Sequence, residues 1–518
     1  RLPLHSSPHI MVANALRTDW RTVLPPKQCS FILGNPPFVG KTYLTGEQRI
    51  DMQAVWGSVK AWGLLDFVCA WYWKAAEYIQ KTNTRCAFVS TNSISQGEQP
   101  GVMWPEMFYK WKIKIHFAHR TFPWESEARG KAHVHVIILG FGATDATNKR
   151  IYDYDTDLEH PSVSIVSNIS PYLVGGNDFA LPSRTVPICA VPAIINGSKQ
   201  VDGGFLTLNR AEKEQLLKKY PDLKAYIRPF IGSEEFINSG ERWCLWLVEA
   251  PPKLIRENAE LWARIEGVQA FRRASKKEKT RGSAKNPMLF GEIRPVTTPF
   301  LAIPEVSSER RQYIPVGFLS PAVIPSNKIQ VVPDATMFHF GVISSTMHMA
   351  WMRQVTGRLE SRYSYSAKIV YNNFPWPLSP STAQREAIET AAQAVLNARA
   401  KYSTSTLAEL YDPVAMPAAL AKAHTALDRA VDRCYRKEPF ESDRQRVEYL
   451  FQLYEQITAP LAPIAKPKRS ARRKAIYGAY PFIPASMTNP VPNAEQAAAE
   501  AGQCYFISEE PPPYRTKT

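Results

Sequence analysis

Four consecutive residues, Asn35, Pro36, Pro37 and Phe38, place an amide, two rigid prolines and an aromatic ring directly after an apolar stretch. The exocyclic amine of a nucleobase is a poor nucleophile because its lone pair is delocalised, and two acceptors aimed at its N–H groups draw it towards tetrahedral geometry. The Asn35 side chain can supply one acceptor and the Pro36 carbonyl the other, since proline fixes φ and has no N–H. Phe38 offers a stacking face. This pattern predicts an amine-methylating pocket; the alternative is a turn that only ends a strand.

An open α/β sheet is predicted to position this loop. Residues 64–80 carry apolar side chains at helical spacing between two strand-like stretches, and two more strand-like stretches in succession favour an antiparallel edge pair. The aspartate-rich segment 142–160 is interpreted as a polar separator that follows the sheet. The predicted strands lie within 28–35, 85–94, 112–122 and 132–142.

The composition indicates a polyanionic partner and a reducing compartment. The 518 residues include 63 Lys and Arg against 47 Asp and Glu, and the net charge of +16 suits nucleic acid better than an acidic protein or a neutral sugar. Seven cysteines without a C-x-x-C pair argue against a disulfide framework and a structural zinc site. No apolar run reaches the roughly 18 residues of a membrane span, and there is no signal-peptide pattern. We therefore expect a cytoplasmic protein without a membrane partner.

Four regions are predicted along the chain. Residues 1–188 contain the Asn35 loop and its sheet, and residues 189–378 consist of short β-like and helical pieces broken by Pro and Gly. Residues 379–460 have the periodicity of Ala- and Leu-rich helices. Residues 461–518 form a basic, Pro-rich tail that we expect to be weakly ordered, because it has too few contiguous apolar residues to offset the entropy of ordering.

Five collinear segments resemble the MmeI-like, type IIL group of restriction-modification enzymes, which combine a DNA adenine methyltransferase, a target-recognition domain and an upstream endonuclease. The resemblance covers roughly residues 1 to 460. It implies an α/β fold, with a partial class I (Rossmann-like) methyltransferase sheet, a mixed α+β target-recognition domain and a helical C-terminal region. It also implies methyl transfer from S-adenosylmethionine to N6 of a flipped adenine in double-stranded DNA. The segments are 9–41, 63–79, 85–99, 115–141 and 358–377.

By this resemblance Asn35, Pro36, Pro37 and Phe38 match the catalytic motif, and an initial Asn rather than Ser is similar to the adenine-N6 branch. Protein glutamine methyltransferases also use this tetrapeptide. Phe122 resembles the aromatic residue that stacks on the opposite face of the extruded base, with Trp124 as a neighbouring candidate and a core role as the alternative for both.

Two aspartates are expected to lie at the cofactor. Asp19 matches the acidic residue that the family places near the cofactor's adenine, and the alternative is a surface aspartate in a turn. Asp66 begins the segment that lines the cofactor side in related enzymes, and it could equally start a helix.

The family's glycine-rich cofactor loop precedes the region in which this chain begins. The chain has no G-x-G-x-x-G, and Gly40–Lys41–Thr42 is not a phosphate loop because the required upstream glycine position holds Asn35. We therefore expect an incomplete S-adenosylmethionine site in the C-terminal part of a longer enzyme, without the nuclease. An upstream or separate chain would complete that site.

Two stretches are predicted to contact DNA. In 353–368, Glu360 and Arg362 are predicted to reach base edges, since an Arg fork fits guanine and a Glu carboxylate accepts from cytosine N4. The basic run 271–285 is predicted to lie along phosphates. A solvated charged turn and a flexible charged loop are the respective alternatives. The predicted DNA-binding residues are Arg353, Arg358, Glu360, Arg362, Lys368, Arg272, Arg273, Lys276 and Lys277.

No metal site is predicted. His116, His119, His133 and His135 lie near one another in sequence, but no nearby Cys or carboxylate completes a ligand set. Two other functions stay open. One is a noncatalytic, sequence-specific DNA-binding module, and the other is a protein or RNA amino-methyltransferase.

Overall fold

A computed structural model describes residues 9–124, 134–154 and 158–459. The prediction of a weakly ordered tail at 461–518 lies outside these residues, as does His133.

Within the described residues, six strands form one sheet in the order β1-β2-β4-β3-β5-β6. β1 pairs in parallel with β2 and β3 pairs in parallel with β5, whereas the other neighbours are antiparallel. In β2 every second residue is buried, which is the period expected of a strand between two layers. The strands are β1 Phe31–Gly34, β2 Arg85–Thr91, β3 Lys114–Trp124, β4 Val134–Gly142, β5 Lys149–Asp153 and β6 Ser162–Val166.

The predicted antiparallel pair exists, but its position at the edge of the sheet was wrong. β4 lies between β2 and β3, and the sheet continues through β5 and β6 inside and beyond the segment interpreted as a separator. β5 looks polar in sequence because it begins with Lys149 and Arg150. However, Lys149 is only 1% exposed, since its ammonium donates to Asn168 at 2.6 Å and pairs with Asp145 at 2.8 Å.

Three helices pack against this sheet. α1 begins at Thr45, whose side chain accepts from the backbone of Gln48 while the Gln48 side chain accepts from the Thr45 N–H. α2 is buried on most of its surface, and its Tyr72 packs edge-on against Phe88 of β2 at 5.2 Å between ring centroids. The helices are α1 Gly46–Trp56, α2 Cys69–Tyr78 and α3 Pro100–Pro105.

The middle region contains short strands and helices around a core of its own. Leu208, Leu245 and Val268 are fully buried in that core. The helices are α4 Arg210–Lys219, α5 Ser233–Asn238, α6 Pro252–Glu257, α7 Ala259–Arg273, α8 Glu278–Gly282, α9 Met337–Ile343 and α10 Thr346–Val355. The strands are β7 Ile195–Asn196, β8 Thr207–Leu208, β9 Ile227–Ile231, β10 Trp243–Leu245, β11 Phe300–Pro304, β12 Val306–Ser307, β13 Gly317–Leu319, β14 Ile324–Pro325, β15 Ile329–Pro333, β16 Gly357–Leu359 and β17 Arg362–Ser364.

The helices predicted for 381–457 are confirmed. α13 buries residues at helical spacing, and this face shares one core with Leu301 of β11 and Trp351 of α10. The helices are α11 Thr382–Ala400, α12 Leu407–Leu410, α13 Ala418–Tyr435 and α14 Asp443–Thr458. The predicted fold class, an α/β sheet followed by a mixed region and a helical region, is therefore confirmed.

Candidate functional site

The carboxyl ends of four strands meet at one edge of the six-stranded sheet. β1, β2, β3 and β5 all point the same way, because β4 is antiparallel to both β2 and β3. Asn35 follows β1, Thr91 ends β2 and Tyr154 follows β5, so residues far apart in sequence are placed along one line. We call this line the carboxyl edge. Loops at the carboxyl ends of strands are where open α/β sheets bind ligands.

The tetrapeptide Asn35–Phe38 forms an open lip at the carboxyl edge. Asn35 and Pro37 are exposed, Phe38 is half-buried and Pro36 is buried. Among the described residues, none hydrogen bonds to the Asn35 amide or the Pro36 carbonyl, whereas the Pro37 carbonyl accepts from the Val39 N–H at 3.2 Å. The lip is thus anchored by a buried proline ring and leaves both predicted acceptors available to a ligand.

Contacts behind the lip hold its backbone in place. The Val39 carbonyl accepts from the Phe67 N–H at 2.9 Å. The Asp66 carboxylate accepts from the Lys41 N–H at 2.9 Å and is itself only 8% exposed as a residue. Asp66 precedes α2, which begins at Cys69, so it does not occupy the first turn of that helix. The structure therefore gives Asp66 a contact with the loop that follows the lip.

An aromatic cluster lies farther along the carboxyl edge. Phe122 packs on Tyr154 with ring centroids 4.8 Å apart, and His119 stacks on Tyr152 at 4.3 Å. His119 Nδ1 and the Tyr154 hydroxyl share a 2.7 Å hydrogen bond, and burial lowers the pKa of His119, which favours the neutral ring. Sequence reasoning identified Phe122 and missed Tyr152 and Tyr154, since both lie in the segment interpreted as a separator.

Phe122 and the β2 end occupy one row of the sheet. Both Phe122 and Thr91 are paired with Val136 of β4, from its two sides. Phe122 lies three strand spacings from β1, about 14 Å laterally, because β2 and β4 stand between β3 and β1. Phe122 is only partly buried. The side chain of Trp124, the neighbouring candidate, lies outside the described part of the chain.

Asp19 lies in a surface turn. Its carboxylate caps a short 3-10 helix, Trp20–Thr22, by accepting from the Arg21 N–H at 3.0 Å, and 54% of its side chain is exposed. This placement matches the turn that the sequence left open as an alternative. One carboxylate oxygen makes the cap, and the other has no partner among the described residues.

Open clefts lie elsewhere on the molecule. One of about 440 Å³ is lined by Ile32 and Tyr78, and another of about 590 Å³ is lined by Phe31 and Arg85, both beside the edge strand β1. A third, also of about 440 Å³, lies in the middle region around Glu212. None of these three clefts is lined by the lip.

β16 and β17 form a two-stranded hairpin, Gly357–Ser364, which we call the recognition hairpin. Its tip carries Glu360, in the left-handed region at φ +58°, and Arg362. The two side chains pair at 2.8 Å and are 76% and 46% exposed. The tip therefore presents a carboxylate and a guanidinium to solvent, paired with each other, and their role in base reading stays a prediction.

Arg358 stiffens the recognition hairpin. Its guanidinium lies 4.1 Å over the Tyr363 ring and donates to the Ser361 carbonyl at 3.1 Å. Burial lowers the pKa of Arg358. Lys368 lies beyond the hairpin in a short π-helical turn, Ala367–Tyr371, and is partly buried.

Two predicted DNA-binding arginines have internal partners instead. Arg353 pairs with Asp443 at 2.7 Å and donates to the Gln312 carbonyl at 2.7 Å, so it fastens α10 to α14. Arg272 is only 1% exposed. Its guanidinium donates to the carbonyls of Val201, Gln200, Ser283, Asn286 and Leu289. The prediction that Arg272 lies along phosphates was wrong, because an Arg fork can also saturate buried carbonyls.

The rest of the basic run is exposed along the end of α7, α8 and the short segments beside α8. Arg273, Lys276 and Lys277 are exposed, and their contact with phosphates stays a prediction. Lys279 and Lys285 are exposed on the same segment and were not singled out from the sequence. We call these five residues the basic face.

Other features add little chemistry. Within 9–124, 134–154 and 158–459, no group of three or more His, Cys, Asp or Glu side chains is placed to hold a metal ion. His116 binds the Thr144 carbonyl at 2.8 Å. Over the same described ranges, no helix has the length and apolar character needed to cross a bilayer.

Three family models match the chain in succession. Residues 1–153 match the MmeI DNA-methyltransferase domain, residues 175–378 the MmeI target recognition domain and residues 380–462 the MmeI C-terminal domain. The match places the lip in the first domain and the recognition hairpin in the second.

Two relatives give the same result. The chain is 41% identical over 460 residues to DNA methyltransferase A of Bacillus subtilis (strain 168), covering 88% of this chain and 51% of the relative. It also matches the solved structure of the type IIL restriction-modification enzyme MmeI in complex with DNA, with a TM-score of 0.82, 48% identity and coverage of 89% of this chain and 61% of that chain. The chain thus spans about half the length of the curated relative that it matches.

Proposed function

The chain belongs to the MmeI family of DNA methyltransferases, and from this premise we propose that it methylates N6 of adenine in duplex DNA. The methyl donor would be S-adenosylmethionine, and residues 175–378 would select the site. The observation that carries the proposal is the open polar lip Asn35–Phe38 at the carboxyl edge of the matched methyltransferase domain.

The lip residues have the chemistry for activating an amine. The Asn35 side-chain oxygen and the Pro36 carbonyl can each accept one N–H of the amine, and neither is engaged by a described residue. Accepting both hydrogens localises the nitrogen lone pair, and the fixed backbone keeps the acceptors in place without reorganisation. Phe38 can stack on the base and restrict its rotation.

When bound, the cofactor would supply an electrophilic methyl group to adenine N6, and the amine would lose one proton to solvent. Asp19 fits the adenine end of that cofactor, because its carboxylate is more than half exposed and one oxygen is uncommitted among the described residues. Asp66 fits less well, since its buried carboxylate already accepts from the Lys41 backbone. We therefore assign the cofactor contact to Asp19 and a contact with the catalytic loop to Asp66.

The proposal requires the adenine to leave the base stack, since its amine is otherwise paired. Phe38 would hold one face of the everted base and Phe122 the other. The contact between Phe122 and Tyr154 supports this role, because it fixes the Phe122 ring from one side.

DNA contacts are proposed for two surfaces. At the tip of the recognition hairpin, Arg362 would donate to guanine and Glu360 would accept from cytosine, which specifies bases. The basic face would contact phosphates without regard to sequence. Arg272 and Arg353 are left out of this set because protein atoms occupy their guanidinium groups.

The proposed reaction can be tested by identifying the methylated nucleoside. Duplex DNA is incubated with the complete gene product and a methyl-labelled donor, then digested and analysed by mass spectrometry. We expect the label in N6-methyladenine and a greater yield with duplex DNA than with RNA or protein. Label in 5-methylcytosine, or in RNA or protein alone, would reject the proposal.

A noncatalytic DNA-binding module is the second candidate, favoured by the exposure of Asn35 and Pro37 to solvent. Calorimetry separates the two. Binding of the methyl donor by the complete gene product supports the enzyme, whereas sequence-specific DNA binding with no donor binding supports the module.

A further inference from the structure

The base of the recognition hairpin touches the carboxyl edge directly. The Gly97 N–H, in the loop after β2, donates to the Val355 carbonyl at the end of α10 at 2.9 Å. Gly97 has φ +72°, and a Cβ at this position would lie 3.2 Å from the Gly357 Cα at the start of the hairpin. Glycine is therefore required on two independent grounds, backbone conformation and close approach.

The residues after Gly97 reach the catalytic loop. The Gln99 side-chain oxygen accepts from the Asp66 N–H at 3.0 Å, and Asp66 in turn accepts from the Lys41 N–H at 2.9 Å. Glu98 pairs with the Lys41 ammonium at 3.6 Å, with both side chains about three-quarters buried. We call Gly97–Gln99 the bridge. Only these few contacts separate the base of the hairpin from the loop that follows Phe38.

A second set of contacts leads to the aromatic cluster. The Gln354 side-chain oxygen accepts from Arg120 at 3.3 Å, and its amide nitrogen donates to the Tyr172 carbonyl. Arg120 also pairs with Asp153 at the end of β5 and lies on β3 just before Phe122. The end of α10 thus contacts the carboxyl edge on both proposed sides of the base.

We propose that the bridge couples the recognition hairpin to the catalytic loop, so that Asn35 is correctly placed only when the hairpin is seated on its cognate bases. Gly97 and Gln99 are positioning residues in this arrangement and do not touch the substrate. The proposal rests on the proposed adenine methylation. The contacts of the bridge are buried or partly buried, and the one to Val355 is backbone to backbone, so a shift of the hairpin is transmitted to the loop rather than absorbed by flexible side chains.

If the bridge couples the hairpin to the catalytic loop, weakening its contacts should lower the methylation rate more than the affinity for duplex DNA. Gln99→Met keeps the side-chain volume and removes the acceptor for Asp66. We expect the single-turnover methylation rate on the cognate duplex to fall about tenfold, with the duplex Kd changed by less than about twofold. The matched control is Gln80→Met, because Gln80 is partly buried and donates to the carbonyls of Ala76 and Trp111, away from the bridge.

A double-mutant cycle separates coupling from a local defect. If the hairpin acts through the bridge, Arg362→Ala should reduce the methylation rate less in the Gln99→Met protein than in the wild type. The two fold-reductions should differ by about threefold or more. A structural role for Gln99 alone would leave the two effects additive.

Gly97→Ala provides a second variant, with Gly46→Ala as its control because a Cβ at residue 46 meets nothing within 4 Å. Thermal unfolding checks that each variant is folded.

The outcomes distinguish this inference from the proposed function. A wild-type gene product that methylates no adenine refutes the function itself. A wild type that methylates adenine, together with Gln99→Met and Gly97→Ala proteins that match it in rate or combine additively with Arg362→Ala, overturns the coupling alone. Nonadditive loss of rate with retained duplex affinity supports it.

Discussion

The catalytic loop and the recognition hairpin both present polar groups to solvent, but they do so in opposite states. At the lip, the Asn35 amide and the Pro36 carbonyl have no partner among the described residues. At the hairpin tip, Glu360 and Arg362 are paired with each other at 2.8 Å. An exposed pair of this kind contributes about 0–1 kcal/mol, so its exchange for DNA bases costs little.

This difference indicates two modes of recognition. The internal conformation of the lip is fixed by its proline rings and no internal partner has to be displaced before an amine binds, so the bridge would adjust only the position of the lip as a whole. The hairpin satisfies its charges internally, and under the proposed function it would exchange this pair for DNA bases only where they offer better partners. Removing a lip group should therefore affect the rate, and removing a hairpin group should affect the choice of sequence.

The largest effect is expected at the lip. Asn35→Ala in the complete gene product should reduce the methylation rate by about 10²- to 10³-fold, because one preorganised acceptor at the reacting centre is lost. Affinity for duplex DNA should stay near that of the wild type. Asn83→Ala is the matched control, since Asn83 is also exposed but lies before β2 at the opposite edge of the sheet. A rate near that of the wild type in the Asn35→Ala protein would remove the residue from the mechanism.

The second-largest effect is expected on the free energy of unfolding, at Arg272, which the sequence predicted to contact DNA. Arg272→Met should lower the free energy of unfolding by about 3 kcal/mol, because it leaves several buried carbonyls without donors. Arg273→Met changes its exposed neighbour and should leave stability nearly unchanged. It should instead reduce the salt dependence of the DNA-association constant, measured as the slope of log K against log salt concentration, by the amount expected for about one lost phosphate contact. Chemical denaturation and salt titration measure the two quantities. Equal stability of the two variants would contradict the assignment of Arg272 to the fold.

The smallest effect is expected at a single base pair. Arg362→Ala should cost about 1–3 kcal/mol of discrimination and relax the recognised sequence at one position. Arg362→Lys keeps the charge without the fork, so it should lose the same discrimination and retain the salt dependence. Mapping of methylated sites across a genome is the readout. An unchanged recognition sequence together with unchanged affinity would discard the contact.

Much of the fold followed from patterns that packing enforces. The stretches around β1 to β4 and the helices after residue 381 are apolar at the right period, and all formed. β5 and β6 were missed because their polarity resembles a loop. In β5 the charge of Lys149 is neutralised by Asp145, a partner that sequence spacing alone did not identify. In β6, Val163 and Ile165 are exposed at the sheet edge and give no burial signal.

The candidate site residues were easiest to predict from the sequence where the backbone is most constrained. Asn35–Phe38 could be found because two prolines after a strand leave few conformations. The arginines were less predictable, since the same guanidinium fork suits a guanine edge, as proposed for Arg362, or a set of carbonyls, as found for Arg272. The bridge at Gly97 depends on contacts between segments that are distant in sequence, and no local sequence motif predicts these contacts.

The central claim is that the Asn35 side chain grips the amine of an everted adenine. It is tested most directly by comparing binding of two cognate duplexes, one with adenine and one with purine, which lacks the amine, at the target position. The wild type should prefer adenine by about tenfold or more, and Asn35→Ala should lose most of that preference, keeping only the part that the Pro36 carbonyl provides. The same preference for adenine in the Asn35→Ala protein would contradict the claim.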